Sequence, residues 1–177
     1  MTRVLSIRNR QHVRPINAPL LRRIIRELLR EDLEIQTYEL GVHLVDAEEM
    51  ATINETFLEH HGSTDVITFD HAGYLKLEPP TSGQRPAARH LYGEIFLSVP
   101  DAIRHAKEFN TTWQSEVTRY VIHGLLHLTG HDDLNPAARR IMKREENKLV
   151  TRITSVIPVT GLGRPAKRKL GRRSRPA

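Results

Sequence analysis

Between Thr112 and Asp133 the chain carries the pattern that most restricts its fold. Val117, Val121, Leu125 and Leu128 recur at helical spacing and, at about 100° per residue, fall within about 80° of arc. His123 and His127, four residues apart, fall roughly on the opposite side. A helix of this kind buries its aliphatic stripe in a core and turns its histidines to a cleft. Gly130 then stops it and supplies a turn.

Two imidazoles one turn apart on one helix face can share a metal ion, the geometry that zinc enzymes use. Core histidines would be expected on the stripe, so their separation from it favours a ligand role. A glycine seven residues after the first histidine lets the chain reverse and return a third ligand. In the pattern H-E-x-x-H-x-x-G-x-x-H that ligand comes ten residues after the first, and here the position is Asp133. An aspartate oxygen is an acceptable zinc ligand. His131, one residue past the turn, is the alternative third ligand. The predicted set is therefore His123, His127 and Asp133, holding one zinc ion.

Zinc proteases of the H-E-x-x-H type place their general base directly after the first histidine. Gly124 stands there instead, which argues against a peptidase, although a bound metal still lowers the pKa of water toward 7. Glu94, Asp65 and Glu116 are candidate bases, each with capping or solvation as the plainer role, and no catalytic residue is assigned. Glu116 lies on the histidine side but two turns away, about 10 Å. His12, His43, His60, His61, His71, His90 and His105 share no ligand spacing and read as core or surface residues.

With 177 residues the chain is sized for one domain. It has no cysteine, which excludes disulfides, thiolate nucleophiles and Cys-based zinc sites and suits a reducing cytoplasm. No apolar run approaches the roughly 18 residues of a membrane helix, and charges in Met1–Arg8 break up any secretory leader. A soluble, cytoplasmic protein is expected. Alternation predicts strands at Arg3–Arg8, Tyr38–Val45 and Gly93–Leu97, and a buried strand at Asp65–Phe69. Helices are predicted from an Asn17 cap to Glu31, from Asp46 to about Thr56, over Ser98–Phe109 and Thr112–Leu128, and from Pro136 to about Thr151. His71–His90 reads as a long Gly/Pro loop. Strands and helices mix without a βαβ repeat, which predicts an α+β fold: one domain, one mixed sheet packed with helices.

The net charge of +6 is unevenly placed. Eight of the 27 bases and none of the 21 acids lie from Arg152 onward, so residues 1–151 are slightly acidic, at −2. The expected organisation is a folded domain over 1–151 and a basic tail over 152–177, too poor in apolar residues to fold alone. Such a tail suits contact with nucleic acid or the ribosome through counterion release.

The segment His123-Gly124-Leu125-Leu126-His127-Leu128-Thr129-Gly130-His131-Asp132-Asp133 resembles the signature H-G-x-L-H-L-x-G-[HY]-D-H of the YbeY family of bacterial endoribonucleases and rRNA maturation factors. Asn54 followed by Ser63-Thr64-Asp65-Val66-Ile67-Thr68-Phe69, and Leu91–Ser98, resemble two further strand motifs of that family, so the likeness runs from about Val4 to Val150. It implies a single α+β domain holding one zinc with three histidines, and a single-strand-specific endoribonuclease acting in 16S rRNA 3′-end maturation and ribosome quality control. Single-stranded rRNA and the small ribosomal subunit are the implied partners, and no membrane. This chain departs from the pattern twice. Asp133 stands where the family has its third histidine. Leu58 follows Phe57 where the family has an arginine in the substrate cleft, a loss that His60 or His61 is near enough in sequence to offset. An RNA- or ribosome-binding factor with weakened catalysis is therefore the alternative to the nuclease.

Overall fold

The computed structural model describes residues 2–72 and 90–164. Four strands form one mixed sheet: β1 (Arg3–Asn9) pairs parallel with β2 (Thr37–Val45), and β2 pairs parallel with β4 (His90–Ser98). β3 (Val66–Asp70) pairs antiparallel with β4, giving the order β1-β2-β4-β3. The helices are α1 (Ala18–Glu27), continued by a π-type turn over Leu28–Asp32, α2 (Ala47–Leu58), α3 (Val99–Glu108), α4 (Trp113–Leu128) and α5 (Pro136–Val156). A 3-10 turn follows at Val159–Gly163. The fold is thus α+β around a single mixed sheet. Each of these five helices starts on a polar cap, Asn17, Asp46, Ser98, Thr112 or Asn135, whose side chain accepts from a backbone N–H of the first turn.

The sheet's two faces are occupied differently. Leu5, Leu40, Val42, Leu44, Leu91, Ile95 and Leu97 share one face and join the main core with residues of α1, α4 and α5. The other face carries a small cluster of Val45, Met50 and Ile67, with Ile53, Phe69 and Phe96 packed on it, so α2 covers only part of it.

Three expectations change. The strand at 65–69 is displaced by one residue and lies at the sheet edge, where of its side chains only that of Ile67 is fully buried; one paired neighbour cannot enclose it. The first helix widens out of regular α geometry after Glu27, four residues before Glu31, with Leu33 N–H bonding to the Leu28 carbonyl five residues back at 3.0 Å. The folded chain also does not end at residue 151. α5 continues to Val156, and Arg152 bridges Glu27 and Asp32, each at 2.9 Å. Ile153 and Leu162 are fully buried, contributing about 1.5–3 kcal/mol each. The expected boundary follows the shift in charge, yet between Arg152 and Arg164 the chain carries Ile153, Val156, Ile157, Val159 and Leu162 and no charged residue, enough apolar surface to dock on the core. Residues 165–177 of the expected tail, and the expected loop from residue 73 to 89, lie outside the described residues.

Candidate metal centre

α4 is the element that positions the centre. Val117, Val121, Leu125 and Leu128 are buried, at 0–2% exposure, whereas His123 and His127 stay half-buried on the other side. Burial extends further round the helix than the stripe alone, taking in Tyr120, Ile122 and Leu126. Gly124 is buried because α4 lies directly on the sheet: a Cβ there would come within 2.7 Å of Ile95 Cγ2. The position that holds the base in zinc proteases therefore has no room for a glutamate in this fold.

The reversal occurs at Gly130, whose φ of +93° suits glycine, while His131 N–H bonds back to the Leu126 carbonyl at 2.9 Å. The returning chain brings Asp133 to the two histidines. One ligand atom from each of His123, His127 and Asp133 lies within 4.8 Å of the others, so these three could hold a metal ion. The side chain of His131 does not join them; its ring lies 3.5 Å from the Thr129 hydroxyl, and its backbone carbonyl serves the site instead.

Both histidine rings are oriented from behind. His123 Nδ1–H donates to Glu146 Oε2 at 3.0 Å, and His127 Nδ1–H donates to the His131 carbonyl at 3.2 Å. With those protons on Nδ1, both Nε2 atoms carry lone pairs, and they face one another at 3.1 Å. Zinc–nitrogen bonds of about 2.0–2.1 Å at a tetrahedral angle require a separation of about 3.3 Å. The donor set of two imidazoles and a carboxylate fits zinc and related divalent ions. Two facing lone pairs repel, and one proton or one cation between them relieves it.

Glu146 is a residue that sequence reasoning missed. It projects from α5, its other oxygen pairs with the Arg119 guanidinium, and Arg119 also reaches Asn147 at 2.9 Å. Burial opposes its charge, but the contacts to His123 and Arg119 hold its carboxyl below the ordinary range. Burial likewise opposes charge on His123, yet Glu146, with Asp65 and Asp133 adding, raises its pKa. Burial and the neighbouring His123 lower that of His127. The only hint in the sequence is an acid three residues after Lys143, one of two adjacent glutamates on α5.

The carboxylates considered as bases are placed elsewhere or otherwise engaged. Glu116 is buried at the start of α4 and accepts from the Thr111 hydroxyl. Asp65 accepts from the Val66 N–H and the Thr64 hydroxyl. Glu94 neighbours Ile95 on β4 and so faces away from α4, pairing with His43 and His71. Leu58 is the last residue of α2 and half-exposed, and His61 pairs with Glu55 at 3.4 Å. His105 bonds the Tyr120 hydroxyl at 2.6 Å, a packing role. Among the described residues, no helix is long and apolar enough to cross a membrane.

The sequence model of the family described as Endoribonuclease YbeY matches residues 6–154. An endoribonuclease YbeY of Salinibacter ruber is 31% identical over 150 residues, covering 84% of this chain and 91% of that protein. The Chlamydia caviae protein of the same name is 31% identical over 147 residues, covering 81% and 87%. The one from Myxococcus xanthus is 40% identical over 118 residues, covering 66% of this chain and 37% of that longer protein. A solution structure from Thermotoga maritima shares the fold, with a TM-score of 0.56 at 24% identity over 86% of this chain and 91% of that one.

Proposed function

The chain belongs to the YbeY endoribonuclease family, and on that premise we propose that it is a zinc-dependent endoribonuclease acting on single-stranded RNA, in 16S rRNA 3′-end maturation and ribosome quality control in the cytoplasm. The observation that carries this reading is the convergence of His123, His127 and Asp133, with each histidine oriented by a hydrogen bond from behind. Such supporting partners hold ligand rings in one tautomer and raise their basicity. A zinc ion held there supplies Lewis acidity and a means of ionising water near neutral pH.

The chain's own residues do the rest. Glu146 keeps the proton of His123 on Nδ1, and the His131 carbonyl does the same for His127, so both Nε2 lone pairs stay available. Arg119 neutralises Glu146 and keeps it charged at the back of the site. Asp133 adds an anion, making this site more negative than one of three histidines. Among the described residues, a pocket of about 150 Å³ lies beside His123 and Asp133. The basic residues beyond Arg164 would add phosphate contacts to RNA binding.

The test is cleavage of single-stranded rRNA fragments with and without a chelator, beside a peptide substrate. Chelator-sensitive RNA cleavage is the expected result; peptide cleavage alone would overturn the reading. Leu58 favours a second reading, a binding factor that keeps the metal but cuts weakly, since leucine offers a phosphate no donor. On that reading, Leu58→Arg raises cleavage roughly 10- to 150-fold, the worth of one charge-assisted contact.

A further inference from the structure

We propose that Arg139 and Lys143 form a binding site for one phosphodiester of single-stranded RNA at the rim of the metal pocket, an inference that rests on the nuclease reading above. The pocket is lined by His123, Asp133, Arg139, Met142, Lys143 and Glu146. Four of these six come from α5 at spacings of three, one and three residues, which is one helix face. Met142 is buried and Glu146 is tied to His123 and Arg119, so the face is anchored against α4 at its inner side. Arg139 and Lys143 occupy its outer side, one turn apart and exposed.

Their charges are uncommitted. Arg139 uses Nε–H on the backbone carbonyl of Asp133, at 3.2 Å, which leaves both terminal nitrogens of its guanidinium available. Among the described residues, neither Arg139 nor Lys143 forms an ion pair with a carboxylate, although two carboxylates share the pocket. Glu146 has both oxygens engaged by His123 and Arg119, and Asp133 turns to the histidines. Arg10, Arg104 and Arg152 are by contrast each held by an acid. Two free cations beside a centre suited to a divalent cation lack an anion to balance them. A phosphodiester supplies one negative charge and two oxygens, matching an arginine fork and a lysine ammonium. The same contact places a backbone phosphate next to the candidate metal ligands.

The test measures binding of a short, cleavage-resistant, fluorescent single-stranded RNA to the zinc-loaded full chain across a salt series, with zinc content determined for every variant. The pocket pair Arg139→Gln/Lys143→Gln is compared with Arg140→Gln/Arg144→Gln, the same loss of charge on the same helix but outside the pocket lining. The pocket pair should weaken binding roughly tenfold and reduce the log–log salt slope by about 0.7, the value of one phosphate contact on a single strand. The outer pair should leave the slope unchanged, and both should keep the metal. Equal effects of the two pairs, or none from the pocket pair, would overturn the assignment while the nuclease reading stands. Loss of zinc in the pocket pair would overturn it too, making the bond from Arg139 to the Asp133 carbonyl a support of the metal site. If the unsubstituted chain neither binds nor cuts single-stranded RNA, the functional reading itself fails and takes this site with it.

Discussion

Two histidine–carboxylate pairs sit on opposite sides of the sheet at the same distance. His123 and Glu146 meet at 3.0 Å beside α4, and His43 and Glu94 meet at 3.0 Å on the other face. Their consequences are opposite, because the histidine is turned differently and its neighbours differ in charge. His123 bonds its carboxylate through Nδ1, leaving Nε2 aimed at His127. His43 uses Nε2 on Glu94, stacks flat on Phe96 at 4.4 Å and leaves Nδ1 buried without a partner among the described residues. Asp65 and Asp133 add to Glu146 in favouring charge on His123. Burial instead dominates at His43, with Arg10 and Arg8 opposing its charge. A histidine beside a carboxylate is therefore no signal by itself. Which nitrogen is free, and what it faces, separates a candidate ligand from a core residue.

The sharpest break in this comparison is metal content. His123→Ala or His127→Ala should remove stoichiometric zinc, measured by elemental analysis, whereas His43→Leu should keep it. Asp133→Ala should weaken binding strongly and His131→Ala only mildly; the reverse order would make His131 the third ligand. Next in size come the carboxylates. Glu146→Gln should weaken zinc affinity roughly 10- to 100-fold in a competition titration, the usual effect of removing a partner behind a ligand. Glu94→Gln should leave affinity unchanged, and an equal loss in both would show that the two sides of the sheet are coupled.

Smaller effects test the packing side. His43→Leu should change stability in denaturant by less than about 1 kcal/mol, because it removes a buried unpaired nitrogen and leaves Glu94, at 40% exposure, to water. Smallest is the pH dependence. Folded His43 has a pKa below the ordinary 6.5 of the unfolded chain, so the unfolded state takes up the proton first as pH falls. That contribution is complete above 6.5 and is lost as pH drops through the folded value. Thermal scans between about pH 7 and 5 should therefore show Tm falling less steeply in His43→Leu than in the unsubstituted chain. A steeper fall in the variant would mean that His43 is charged in the folded protein.

What the sequence determined by itself is local. Helix caps, the aliphatic stripe of α4, the histidine spacing and the turn at Gly130 are written in contacts between residues a few positions apart, and they appear where expected. The family likeness was legible for the same reason, since its signature is one contiguous segment. Tertiary structure decided the rest. The order β1-β2-β4-β3 and the edge position of β3 depend on pairings across long stretches of chain. Glu146 reaches His123 from 23 residues away, and Arg152 finds Asp32 from 120, partners that no spacing rule selects. Gly124 read as a missing base, and only the packing of α4 on Ile95 explains the glycine. Periodicity tells a residue which face of its own helix it occupies. What that face meets is settled when separate elements close into one core, because burial free energy belongs to the whole packed assembly and not to any one segment.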